Sequence, residues 1–149
     1  MNNITFSLIM FLAGIGIPTM ATLNGSLGVR LQNPVMAVSI LLSVALTLSL
    51  IILAFTSELP KKPYVTGTPW YFYMGGVFFI FYITSITAIA PSFGTGNAIA
   101  FVLLGQLVAM STIDHFGLFG AQHFELSLQR LAGLAIMALG VFLVVRPTQ

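Results

Sequence analysis

The chain has 149 residues, of which 58% are hydrophobic and only 5% charged. Soluble domains carry about a quarter charged residues, so this chain cannot cover a water-facing surface and its solvent is lipid. The formal charge of +2 rests on five basic residues (Arg30, Lys61, Lys62, Arg130 and Arg146) that form no patch, which excludes nucleic acid as a partner, and the absence of cysteine excludes disulfides and thiolate metal sites.

A helix needs about 20 apolar residues to cross the hydrocarbon core. The chain is apolar from Ile4 onward, without a basic leader or a small-x-small cleavage pattern. That start reads as a first span, 4–23, rather than a removable signal peptide. Pro18 removes a backbone donor and predicts a kink, which serves either packing or the lining of a cavity. Asn24-Gly25-Ser26-Leu27-Gly28 then reads as the start of a connection containing Arg30 and Gln32.

Asn33-Pro34 is an N-cap followed by proline at the first helical position, and opens a second span, 34–55. Ser39, Ser43 and Thr47 recur every four residues and share one face. Such a stripe either packs against helices or lines a polar path. Glu58 to Pro63 is a polar, proline-broken loop. Thr68-Pro69 repeats the cap signal and opens a third span, 69–90. Trp70, Tyr71 and Tyr73 at its start read as an interfacial belt, or else as a ligand cage. Gly75-Gly76 allows a neighbouring helix to approach closely. The uncharged run from Pro91 to Asn97 predicts a tight hairpin into a fourth span, 97–113.

Most chemically capable groups lie in or just after that fourth span. Gly105 and Ala109 form a small-xxx-small pair, with Gln106 well inside the apolar run. A buried amide needs partners, so Gln106 bonds across helices or meets a polar ligand. The loop from Asp114 to Leu128 holds His115, His123 and Glu125. A fifth span, 129–145, carries Gly133 and Gly140 on one face. Asp114 stands at the negative end of its helix and Arg130 at the positive end of the next. A mutual ion pair would relieve both; the alternatives are separate solvation among lipid headgroups, or Glu125 as partner of Arg130. His115 sits favourably at a helix C-terminus.

The reading is an all-α, polytopic membrane protein: one transmembrane domain of five helices, 1–149, with no internal repeat. An odd span count puts the termini on opposite sides. The Lys/Arg bias is three against two, which weakly favours the N-terminus inside. So small a bias also suits copies inserted both ways and paired antiparallel. No enzyme is expected: HExxH, GxSxG and phosphate-cradling loops are absent. No metal and no cofactor is expected either. None of the three carboxylates lies in mid-membrane, so proton coupling would fall to Asp114 or Glu125.

At these residues the chain resembles the YdcZ-like family of inner-membrane exporters, within the drug/metabolite transporter superfamily. The resemblance covers nearly the whole chain. It rests on Gly105-Gln106, on Ile113-Asp114-His115-Phe116-Gly117-Leu118, and on Arg130-Leu131-x-Gly133. Leu23-Asn24 with Leu27-Gly28, and Pro69-Trp70 with Gly75-Gly76, support it. The family usually has a second tryptophan where Tyr71 stands. The resemblance implies a multi-pass protein of the bacterial inner membrane, a half-size transporter equivalent to one repeat of the ten-span members. It implies efflux of small solutes, with the substrate unassigned. Half of an inverted-repeat transporter, encoded alone, would have to dimerise in the lipid bilayer, as an antiparallel or parallel homodimer or with a partner chain. Asn24, Gln106, Asp114, His115 and Arg130 match its motif and are the candidates for a cavity or gate. The first-span glutamate of the more distant small multidrug resistance proteins is missing. Rival readings are a non-transporting subunit or scaffold of a larger complex, and a lipid flippase.

Overall fold

The computed structural model describes residues 3–56 and 67–145. The Glu58–Pro63 loop, with Lys61 and Lys62, lies outside the described residues, as does Arg146. Among the described residues five α-helices follow one another: α1 (Asn3–Arg30), α2 (Pro34–Thr56), α3 (Gly75–Phe93), α4 (Thr95–Phe116) and α5 (Leu128–Val144). A 3₁₀ segment, Trp70–Met74, leads into α3. Four of these segments are long and apolar enough to cross a membrane, and α5 is a shorter apolar helix of 17 residues. At 1.5 Å per residue α5 is about 26 Å long, close to the hydrocarbon thickness of roughly 30 Å. The fold is thus the five-span, all-α one.

Contacts gather into two compact units, Met1–Pro91 and Ser92–Gln149. In the first unit α1 packs on α2, and its buried side carries Ala21, Asn24, Gly25 and Gly28. Those positions repeat at three- and four-residue steps, so they form one helical stripe. The stripe is made of small residues because the neighbours come very close. A Cβ on Gly28 would stand 3.3 Å from the Pro34 Cα and 3.3 Å from the Thr87 Cγ2; one on Gly25 would stand 3.3 Å from the Pro91 Cγ. Opposite lie Ile83, Ile86, Thr87 and Ala90 of α3 and Ala37 and Val38 of α2.

This packing corrects the first boundary. The segment 24–30 is not a connection: α1 runs through it to Arg30. In lipid, glycines that break soluble helices serve close helix contact instead. Pro18 also lies within α1, and the Thr22 hydroxyl donates to the Pro18 carbonyl at 2.9 Å. The third span likewise runs on past Pro91 to Phe93, so only Gly94 (φ 92°) joins α3 to α4. Asn33 caps α2 as expected, its side-chain oxygen accepting from the Met36 N–H at 3.1 Å. A Cβ added at Gly75 or Gly76 would meet nothing within 4 Å among the described residues.

In the second unit α4 packs on α5. Gly117, in the left-handed region at φ 59°, ends α4 with its N–H turned back to the carbonyls of Ile113 and Asp114. A short 3₁₀ turn, Leu118–Gly120, then returns the chain, with Phe119 also left-handed at φ 57°.

Candidate functional site

The helix-end corner between α4 and α5 gathers most of the charged and titratable side chains of the second unit. Asp114 lies in the last turn of α4. Ser127 caps α5 by accepting from the Arg130 N–H at 3.2 Å, which places Arg130 in the first turn. The Arg130 guanidinium donates through Nη2 to the Asp114 Oδ2 at 2.7 Å. The two side chains are 35% and 21% exposed, so the pair is only partly screened. Of the arrangements the sequence leaves open for these two charges, the mutual pair is the one made.

Two further bonds tie the loop to the same corner. The Asp114 carbonyl accepts from the Phe124 N–H at 2.9 Å. His115 Nδ1 accepts from the Leu126 N–H at 3.3 Å. The His115 ring also lies 6.2 Å from His123 and 4.9 Å, edge-on, from Phe116. The helix end, loop and next helix are thus joined by backbone and side chain together. Accepting at Nδ1 requires that nitrogen to be unprotonated.

The other candidates lie elsewhere. Asn24 is 4% exposed and belongs to the packing of the first unit. Its amide donates to the Thr87 hydroxyl at 2.6 Å, and Thr87 is 1% exposed. Gln106 is exposed within the second unit, on a different side of α4 from the buried Ser111. Ser39, Ser43 and Thr47 do form an exposed stripe on α2, but each hydroxyl is turned onto its own helix. They donate to the carbonyls of Val35, Ser39 and Ser43 at 3.0, 2.8 and 2.8 Å. Ser43 and Thr47, with Val44 and Leu48, line an open groove of about 270 Å³.

Sequence reasoning missed Thr87 and Leu126. Thr87 stands among Thr84 and Ser85 in one apolar run, and nothing in the run singles it out. Leu126 acts through its backbone, which leaves no trace in side-chain identity.

A family model described as "Putative inner membrane exporter, YdcZ" matches residues 5–143. No curated protein and no solved structure matches the chain. The match takes in all five helices almost end to end, together with the Asp114–Arg130 corner. The chain belongs to the YdcZ family of inner-membrane exporters and is a multi-pass inner-membrane protein.

Proposed function

We propose that the chain exports small organic solutes as a homodimer, opening a mid-membrane path to one side of the membrane at a time. Family membership supports export. The observation that carries the dimeric reading is the span count: the described residues hold five helices, and the chain has no internal repeat. Transporters built from two related halves hold their sites near the midplane and rock one half against the other. Two copies, parallel or antiparallel, supply the two halves here.

Asp114, Arg130 and His115 are assigned to a gate at one end of that path. Each charge of the pair stands where the dipole of its own helix opposes it, so helix stability does not account for either. A breakable pair that also holds a loop does. Protonating His115 at Nδ1 turns its acceptor into a donor and releases the Leu126 amide, which loosens the same loop. Asn24 keeps α1 on α3 and acts on transport through that packing.

The assignment is tested by efflux from proteoliposomes carrying wild-type chain, Asp114→Asn, or the exchange Asp114→Arg with Arg130→Asp. Asp114→Asn should insert normally and lose most flux. Wild-type flux in that variant would remove Asp114 from the mechanism.

A further inference from the structure

The two halves of α1 are held differently inside the first unit. All its buried residues, Ala21, Asn24, Gly25 and Gly28, lie in the half from Ala21 to Arg30. That half is fixed by the Asn24–Thr87 bond at 2.6 Å and by the close approach of Gly25 to Pro91 and of Gly28 to Pro34. Before Ala21, the unit buries none of the described residues of α1.

The helix is also weakest just before the fixed half begins. Pro18 has no N–H to give the Gly14 carbonyl, and its ring crowds that carbonyl. Gly14 and Gly16 add backbone freedom in the same turn. The Thr19 hydroxyl donates back to the Ile15 carbonyl at 3.0 Å, and the Thr22 hydroxyl to the Pro18 carbonyl at 2.9 Å. Hydroxyl bonds to the turn behind bend helices. The carbonyls concerned, those of Gly14, Ile15 and Pro18, share one side of the helix, so its ladder is weakened along that side. Proline, glycine and a side chain inserted into the ladder are the recurring causes of helix bends, and all of them meet between Gly14 and Thr22. The helix nevertheless continues through them.

Two comparisons within the unit set this segment apart. Pro91 also lies inside a helix, but it is packed: a Cβ on Gly25 would stand 3.3 Å from its ring and 3.8 Å from the Thr87 carbonyl that it leaves without a donor. Within the unit, a Cβ on Gly14 or Gly16 would meet nothing within 4 Å. The second comparison is α2, which carries the same kind of hydroxyl bonds at Ser39, Ser43 and Thr47. It has no glycine, and its one proline stands at its first position.

We infer that Gly14–Pro18 is a hinge, about which the arm of α1 formed by residues 3–13 swings while the half from Ala21 stays fixed to α2 and α3. The inference rests on the reading of a path opened to one side of the membrane at a time, and names a moving part for it. The arm is about 16 Å long, half the hydrocarbon thickness. A bend of about 20° at Gly16 moves Leu8 by about 4 Å. An arm that swings on a fixed root changes one end of the path and leaves the packed joint of α1 with α3 intact.

The sequence contains no cysteine, so nitroxide pairs can be placed on introduced cysteines. Leu8→Cys with Phe78→Cys spans the hinge, and Leu23→Cys with Phe78→Cys reads the fixed half from the same reference point on α3. All three positions are exposed in the unit. Electron–electron distances are measured in lipid nanodiscs, with labelled chain diluted in unlabelled chain so that only distances within one copy are read. The 8–78 distance should be split or broadened by about 4 Å or more, and the 23–78 distance should be single and narrow. Gly14→Ala, Gly16→Ala and Pro18→Ala together should collapse the 8–78 distance to one narrow value; an unchanged 23–78 distance shows that this variant is folded. In proteoliposomes the same variant should lose most of its efflux of ethidium, a fluorescent organic cation. An 8–78 distance as narrow as the 23–78 distance in the wild-type hinge would overturn the inference. So would equal broadening of both, which would put the movement between whole helices. Wild-type efflux in the straightened variant would remove the hinge from transport. Absence of ethidium efflux from the wild-type chain would count against export of organic cations, and the two distances would still decide the hinge.

Discussion

Two polar contacts at residue scale do different work. The Asn24 amide meets the Thr87 hydroxyl at 2.6 Å where both residues are buried. Removing either partner strands the other in an apolar site, at about 1–2 kcal/mol. Asn24→Leu and Thr87→Val should each lower unfolding stability in detergent by that amount, and the double variant by less than their sum. Full additivity would show that the two groups do not depend on each other. The Asp114–Arg130 pair is a different matter, because its orientation opposes both helix dipoles. Exchanging the two charges places each at its favourable helix end, worth roughly 0.3–1 kcal/mol apiece. Asp114→Asn should cost about 1 kcal/mol, discounted for partial exposure. The exchanged protein should regain that stability without regaining wild-type flux. Wild-type flux in the exchanged protein would make the corner an anchor rather than a gate. The sequence narrowed this corner to a few arrangements, because two charges at wrong helix ends favour a mutual pair but leave headgroup solvation and Glu125 open; the structure makes the mutual pair. The exposure of Gln106 in its unit was not legible, because periodicity places a residue on a face without saying what covers it.

The helices themselves were largely readable as elements. Caps at Asn33-Pro34 and the polar breaks between apolar runs give all five, and α2 and α5 begin within a residue of expectation. The errors fall where soluble-protein signals change meaning in lipid. Gly25 and Gly28 read as a loop because glycine weakens a helix in water. Here they remain in α1 because Pro34, Thr87 and Pro91 occupy the space that side chains would need. Pro91 reads as a stop, yet α3 continues two residues beyond it. The same contacts give a paired prediction. Gly28→Val must push against the Pro34 backbone and should destabilise by about 1–3 kcal/mol. Gly14→Val, with nothing within 4 Å, should be tolerated. Thermal unfolding in detergent measures both, and equal losses would refute the close approach at Gly28.

For the whole molecule, each of the two units buries small and β-branched residues, Ala21, Val38 and Ile83 in the first and Ala98 and Val141 in the second. A protein of this family handles solutes in a membrane, and a path between two related halves needs two sets of five spans. In the proposed mechanism, copies of this one chain suffice for transport. Reconstitution of the purified chain alone into proteoliposomes tests it most directly, screening small organic cations and neutral metabolites with and without a pH gradient. A self-sufficient dimer gives saturable flux that falls faster than linearly as protein is diluted to below one dimer per vesicle, and that is reduced in Asp114→Asn. Folded, inserted chain that moves solute only after a second, different polypeptide is added would contradict it.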